Sequence, residues 1–393
     1  MTIREWPPDL GPIVCVVGAR PNFMKMAPIL RAFAAHEPPL PTLLVHTGQH
    51  YDNDMSDRLF VDLRLPRPDI NLGVGSGTHA VQTAEVMRRF EPVLDEHKPS
   101  CVLVVGDVNS TLACTLVAVK KGIPVAHVEA GLRSFDREMP EEINRVLTDQ
   151  IADTLYTTEL AAHENLAREG IDASRAVFVG NVMIDSLLAN RSLAVPAAET
   201  LRRAGMDPAV LDGPRRYGVV TLHRPSNVDQ KSTLGPLLGV LREIADRLPL
   251  VFALHPRTRA NIERFGLADI VSDRRIVLLS PQGYLEMLGL MADAALVLTD
   301  SGGMQEETTA LGVPCLTLRE NTERPITVLQ GTNTVVGRDR KALLLQVDEI
   351  LAGGGKRGRV PELWDGRASE RIAAHMANWL LRRHAQPQAC AEA

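Results

Sequence analysis

At 393 residues the chain exceeds what one hydrophobic core usually supports, so two domains are expected. The net charge of -5, with basic residues scattered and not in blocks, argues against nucleic acid and against a membrane surface as partner. No apolar run reaches the ~18 residues that span a bilayer, and MTIREWPPDLGP carries no apolar stretch behind a basic one, which leads us to expect a cytoplasmic protein.

Ile13 to Val17 is an apolar run ending at Gly18, followed by Ala-Arg-Pro-Asn-Phe and a helical pattern from Met24 to Phe33. Arg20 and Lys25 near that helix start suit an anion such as a phosphate, with simple solvation as the plain alternative. A strand Leu43 to His46 ends in Thr47-Gly48-Gln49-His50, and Tyr51 to Leu63 and Ala80 to His97 read as helices. The strand Val102 to Val105 breaks at Gly106 and delivers Asp107 before a helix opened by Asn109-Ser110-Thr111. The strand Ile123 to Val128 delivers Glu129 and turns through Gly131, and Pro140-Glu141-Glu142 starts a helix reaching Asp153, with acids where the helix dipole favours them. The strand Thr154 to Thr157, helix Glu159 to Glu169, strand Val177 to Val179 and a helix around Ile184 to Leu188 complete a parallel, doubly wound sheet. In such a sheet strand C-termini and helix N-termini line the ligand crevice, which puts Asp107 and Glu129 at one rim. Each acid alone also fits a plain role: Asp107 ending a strand, Glu129 pairing with Arg133, Glu141 and Glu142 as first-turn residues. Three at consecutive strand ends or helix starts point to a site.

Composition shifts over Ala189 to Arg216, with Pro196, Pro208 and Pro214, and reads as a connection. Alternation restarts with strand Gly218 to Leu222, helix Leu234 to Arg247, strand Val251 to Leu254 and helix Arg259 to Phe265. Strands Ile276 to Leu279, Ala295 to Leu298 and Pro314 to Leu318 follow, with helices Tyr284 to Met291, Met304 to Leu311 and Lys341 to Leu351. The expected domains are residues 1–188, completed by a C-terminal helix at 369–384, and residues 189–368. His223-Arg224 close the first strand of the second domain, His255 closes its second, and Thr299-Asp300-Ser301-Gly302-Gly303 feeds a helix carrying Glu306 and Glu307. A Ser-Gly-Gly turn at a helix N-terminus lets backbone N–H groups approach a diphosphate, with the acids one turn later placed for ribose hydroxyls. A tight turn without a ligand, and a hydrogen-bonded core role for His223, stay open on this pattern alone.

The cysteines (Cys15, Cys101, Cys114, Cys315, Cys390) are odd in number, widely spaced and mostly embedded in apolar patterns, as reduced core thiols are. No CxxC, HExxH or P-loop is present. His46 and His50 have i, i+4 spacing, but Gly48 between them breaks the helical geometry a metal pair would need, so no metal is expected. Gly73 to Gly77 lacks both the glycine spacing and the preceding strand of a dinucleotide loop.

Taken together, GARP with Lys25, GDVNST, HVEAGLR, PEEINR, LHRPSN, TDSGGMQEE and ENTERP, ordered from Val14 to Gly337, resemble the non-hydrolysing UDP-N-acetylglucosamine 2-epimerases. The resemblance implies an α/β protein of two doubly wound Rossmann-like domains facing across a cleft (GT-B-like), a homodimer, and no metal or nicotinamide cofactor. It implies reversible interconversion of UDP-GlcNAc and UDP-ManNAc, by loss of the C2 proton and of UDP to give 2-acetamidoglucal, followed by re-addition. By motif match Asp107, Glu129 and Glu141 handle protons, and His223 joins them while neutralising phosphate with Arg20 and Lys25. Arg224 and His255 also belong to the UDP site, where Ser301, Gly302 and Gly303 cradle the diphosphate, Glu307 takes the ribose and Arg324 lies nearby. Gln49-His50 match part of a second, activator nucleotide site, whereas the segment after Asn71-Leu72 reads GVGSGTHAVQT and lacks the Arg-Gln pair of the bacterial pattern. Asn22 replaces the family's Glu after Arg-Pro, and Ile326 replaces the Glu of TERPE, which leaves the sugar open because related epimerases take modified UDP-HexNAc. The rivals are a GT-B glycosyltransferase using a UDP-sugar donor, a hydrolysing UDP-GlcNAc 2-epimerase, and a UDP-sugar sensor without turnover.

Overall fold

The computed structural model describes residues 5–49, 62–211 and 217–385, and the chain divides into two compact units, Met1–Ser186 with Glu362–Ala393, and Leu187–Pro361. His50, Cys390 and all but the end of the helix expected over Tyr51 to Leu63 lie outside the described residues.

The first unit is a seven-stranded sheet built from β1 (Ile13–Val17), β2 (Thr42–His46), β3 (Ile70–Asn71), β4 (Cys101–Val105), β5 (Val125–Ala130), β6 (Thr154–Thr157) and β7 (Ala176–Phe178). Every pairing is parallel and the order is β3-β2-β1-β4-β5-β6-β7. The central strands are continuous apolar runs because helices cover both faces and leave no solvent side to mark with polar residues. Those helices are α1 (Arg20–Ala35), α2 (His79–His97), α3 (Asn109–Lys120), α4 (Pro140–Ile151) and α5 (Ala161–Arg168), and α6 (Val182–Asn190) carries the chain onward. On one face Val14, Val16, Val102 and Val104 pack with Phe90, Leu94, Ala113 and Val117 of α2 and α3.

The second unit repeats the plan with six parallel strands in the order β10-β9-β8-β11-β12-β13: β8 (Gly218–Thr221), β9 (Leu250–Ala253), β10 (Ile276–Leu279), β11 (Leu296–Thr299), β12 (Cys315–Thr317) and β13 (Asn333–Val335). Its helices are α7 (Ala197–Arg203), α8 (Pro225–Val228), α9 (Lys231–Ala245), α10 (Pro256–Phe265), α11 (Ala268–Val271), α12 (Tyr284–Ala292), α13 (Gly302–Leu311), α14 (Pro325–Leu329) and α15 (Arg340–Leu351). Both sheets are Rossmann-like, and each reverses its winding beside its first strand, between β1 and β4 and between β8 and β11.

The final helix, α16 (Ala368–Ala385), belongs to the first unit and packs on α1. Asp185 caps its start, accepting from the Ala368 and Ser369 amides at 3.1 and 2.7 Å, and the buried Trp364 donates from Nε1 to the Thr158 carbonyl at 3.0 Å. Gly180 must lack a side chain, since a Cβ there would stand 2.0 Å from the Leu363 carbonyl oxygen.

Three local features depart from the periodic reading. Helix α1 begins at Arg20 and not at Met24, because the Asn22 side chain accepts from the Gly18 and Ala19 amides at 3.1 and 3.0 Å and so caps a turn with no apolar pattern. Strands β3 and β13 are two and three residues long, below what alternation reveals. The connection over residues 189–216 contains α7. Among the described residues no helix is long and apolar enough to cross a membrane.

Candidate active site

In the first unit the winding reversal gathers the turns after β1, β4 and β5. Gly106 follows β4 at φ +67°, a left-handed geometry that glycine adopts freely, and there it turns the chain into Asp107. The half-buried Asp107 carboxylate pairs with Arg145, and its backbone carbonyl accepts from the Asn144 amide at 2.9 Å. Glu129, near the end of β5, has φ +73°, unusual for a residue with a Cβ, at the point where the β5–β6 register shifts. Its buried carboxylate takes the Lys25 ammonium at 2.7 Å. Lys25 is itself buried and stands against Gly106, where a Cβ would lie 3.0 Å from its Nζ. Asn22, whose amide donates to the Val105 carbonyl at 2.9 Å, flanks the same turn. Arg20 opens α1 and is half-buried.

The two acids that open α4 divide sharply. Glu142 is buried and accepts from the Ser134 amide and hydroxyl, the Phe135 amide and Arg145, all within 3.0 Å. Arg145 therefore bridges Glu142 to Asp107. Glu141 is half-buried and makes no hydrogen bond or ion pair among the described residues, which leaves it available to a ligand. Arg133 pairs with Asp149 at 2.8 Å and bidentately with Glu169, and not with Glu129.

Beside these turns Gln49 is committed to the protein: its side-chain oxygen accepts from the Ser110 amide and hydroxyl at 3.0 and 2.7 Å, and its carbonyl accepts from Gln82. Close approach here needs Gly18, where a Cβ would lie 2.4 Å from Ser110 Oγ. The Leu72 and Gly73 carbonyls accept from Arg89 at 2.8 and 2.6 Å.

In the second unit the hub is Asp300, directly before Ser301, a role that a strand-end position alone does not reveal. It is fully buried and accepts from the His223 and Arg224 amides, from Asn227 and from His223 Nδ1 at 2.8 Å. Burial works against its charge, but the His223 bond and charge and the other donors hold its carboxyl below the ordinary value. The bond to Asp300 makes Nδ1 of His223 the donor and turns Nε2 outward from the pair. His255 caps α10, accepting from the Arg257 amide, and its ring lies 5.7 Å from that of His223.

Ser301 is the N-cap of α13, so the first amides of that helix point at whatever sits beyond Gly302-Gly303. The space a Gly302 side chain would need is taken by Glu323, whose Oε1 would stand 2.6 Å from that Cβ. Gly302 is glycine for an internal neighbour, a reason the motif alone does not show. Glu323 in turn pairs with Arg319 at 2.8 Å and Arg224 at 3.5 Å. Arg324 is buried against Glu306 at 2.9 Å, while Glu307 is buried beside Tyr284. Burial, followed by the charge and hydrogen bond of Glu307, pushes the Tyr284 phenol well above its usual range.

Each sheet thus carries its candidates on the turns and helix starts that follow its strands, at the winding reversal and on the strands next to it: Arg20, Lys25, Asp107, Glu129 and Glu141 in the first, and His223, Arg224, His255, Ser301, Gly302, Gly303, Glu307 and Arg324 in the second. A family profile described as UDP-N-acetylglucosamine 2-epimerase matches residues 33–377. The chain is 44% identical over 361 residues, 91% of its length and 96% of the relative's, to a UDP-N-acetylglucosamine 2-epimerase of Methanocaldococcus jannaschii. It is 40% identical over 378 residues, 93% and 99% of the two lengths, to a UDP-2,3-diacetamido-2,3-dideoxy-D-glucuronate 2-epimerase of Pseudomonas aeruginosa. The crystal structure of the M. jannaschii UDP-GlcNAc 2-epimerase in complex with UDP-GlcNAc and UDP superposes with a TM-score of 0.83 at 41% identity, covering 93% of this chain and 99% of that one.

Proposed function

This chain belongs to the UDP-N-acetylglucosamine 2-epimerase family, and on that premise we propose that it inverts C2 of a UDP-2-acetamido sugar, interconverting UDP-GlcNAc and UDP-ManNAc. The observation that carries the reading is the gathering of Asp107, Glu129 and Glu141 at the turns of one sheet while the other offers an α13 N-terminus beside His223, Arg224 and His255.

The C2 hydrogen is poorly acidic, so its removal needs a placed base and charge neutralisation on the departing diphosphate. One carboxylate takes the C2 proton, the C1–O bond to the diphosphate breaks, and a C1–C2 double bond forms, giving 2-acetamidoglucal and UDP. Return of a proton to the opposite face of C2, with UDP re-adding at C1, completes inversion. One fixed carboxylate serves only one face, which is a reason for several acids. Lys25 is the ion-pair partner of Glu129, and Arg145 that of Asp107, so each of these acids has a cation beside it. In the second unit His223, Arg224, His255 and the α13 amides bind the diphosphate, with Glu307 on the ribose and Arg324 close by. The enzyme in this reading is a cytoplasmic homodimer that uses no cofactor.

A second sugar is supported by the P. aeruginosa relative, named for a diacetamido glucuronate. Of the two departures from the family pattern, Asn22 is spent on the Gly18, Ala19 and Val105 backbone, which leaves Ile326, half-buried on α14, as the one of the two without such a structural role.

Incubation in deuterium oxide with UDP-GlcNAc, and in parallel with UDP-2,3-diacetamido-2,3-dideoxy-D-glucuronate, followed by NMR, tests both readings. UDP-ManNAc carrying deuterium at C2 is expected. Product that keeps its C2 hydrogen overturns the elimination route, free sugar indicates a hydrolase, and turnover of the diacetamido glucuronate alone transfers the chemistry to that sugar.

A further inference from the structure

We propose that His127 is a positioning residue for both acid-bearing turns, its ring donating from both nitrogens at once, to Asp149 and to the Gly106 carbonyl. For its effect on turnover the inference rests on the functional reading above; the clamp itself stands on geometry.

The ring is fully buried on β5, two residues before Glu129. Nδ1 lies 2.7 Å from Asp149 Oδ1 and Nε2 lies 2.8 Å from the Gly106 carbonyl oxygen. A carbonyl oxygen can only accept, so Nε2 carries a proton. Asp149 accepts through Oδ2 from the Gly131 amide at 3.0 Å and pairs there with Arg133 at 2.8 Å, which is the environment of an ionised carboxylate, so Nδ1 carries a proton too. Burial opposes charge on Asp149, but the His127 bond and charge, Arg133 and the Gly131 amide hold its carboxyl below the ordinary value. Along this network the charges balance, His127 and Arg133 against Asp149 and Glu169, and the two acids of the turns are paired separately, Glu129 with Lys25 and Asp107 with Arg145.

This network touches the backbone just before Asp107 and on both sides of Glu129. Gly106, immediately before Asp107, is held through its carbonyl by His127 and through its amide by the Val128 carbonyl at 3.0 Å. Gly131, two residues after Glu129, is held through its amide by Asp149. Glu129 between them sits at φ +73°, a conformation that persists in a residue with a Cβ only when its surroundings over-determine it. One buried ring thereby ties the turn carrying Asp107 to the strand end carrying Glu129.

Two variants separate positioning from stability. The amide nitrogen of Gln stands near the place of Nε2 and that of Asn near the place of Nδ1. His127→Gln is expected to melt lower, having lost the bond to Asp149, yet to keep kcat within about tenfold of wild type, whereas His127→Asn melts closer to wild type but loses ~10²-fold in kcat, the scale that displacing a reacting group by about 1 Å costs. KM and UDP affinity stay near wild type in both. A role in stability alone would rank the two variants in the same order by melting temperature and by kcat, and that ranking overturns the proposal. Nitrogen-15 NMR of the wild-type ring reads the clamp without turnover: protons on both nitrogens support it, and a single ring N–H sinks it even if the enzyme inverts its sugar as proposed. Two ring protons in a protein that turns over no UDP-sugar would retain the clamp and discard the functional reading instead.

Discussion

Glu141 and Glu142 are adjacent in sequence and differ in everything that matters for chemistry. Glu142 holds the loop before its own helix and positions Arg145, so its charge is spent inside the protein. Glu141, one residue earlier on the helix, has no such obligations among the described residues. Asp107→Asn, Glu129→Gln and Glu141→Gln are each expected to lower kcat by ~10²-fold or more, the scale that general acid–base groups supply, while UDP binding stays nearly intact. Turnover by NMR and UDP affinity by calorimetry check this, and near-full turnover in all three removes the carboxylates from the mechanism. The positions of these acids are legible in the sequence because strand ends and helix starts are local signals. Their partners are not. Arg133 lies close enough in sequence to pair with Glu129, yet it goes to Asp149 and to Glu169, 36 residues away. Asp300 and His127 escaped for a related reason: a polar residue inside or just after an apolar strand looks the same whether it serves a ligand or a neighbouring turn.

At the scale of elements, the long strands and helices were legible from apolar runs punctuated by Gly and Pro, whereas the short β3 and β13 give no periodic signal. The sequence pattern does not show how α16 is anchored. Trp364 precedes it, 2% exposed, with its indole N–H on the Thr158 carbonyl. Trp364→Ala should destabilise the first unit by ~3–5 kcal/mol, the range for emptying a large buried aromatic site. Trp364→Phe retains much of the packing and loses the hydrogen bond, so its cost should be nearer 1 kcal/mol. Urea unfolding followed by fluorescence and circular dichroism measures both. A Trp364→Ala loss below 1 kcal/mol would mean that α16 is held by Asp185 and its contact with α1 instead.

For the whole molecule, the open question is whether a second nucleotide regulates turnover. Gln49, the described half of the Gln-His match, is occupied by Ser110 and Gln82, and the Leu72 and Gly73 carbonyls are occupied by Arg89. The Gly-Ser stretch that follows offers no cation where the bacterial pattern has an Arg-Gln pair. A missing bidentate Arg–phosphate contact costs on the order of 1.5–3 kcal/mol, or ~10- to 100-fold in affinity. Initial-rate measurements should give a near-hyperbolic dependence on UDP-GlcNAc, and pure UDP-ManNAc should convert without an added activator. A sigmoidal forward curve, with a reverse reaction that waits for a trace of UDP-GlcNAc, would show that other groups bind the second nucleotide.

The return of the chain to its first unit has a consequence during synthesis. The ribosome releases residues 187–361, a complete six-stranded sheet with its helices, before it releases α16. Until residues 368–385 emerge, α1 lacks the helix that packs on it, and Asp185 lacks the amides it caps. The first unit is thus completed only after the second, and a nascent chain stalled short of residue 368 would carry a closed second unit and a first unit whose α1 is still uncovered.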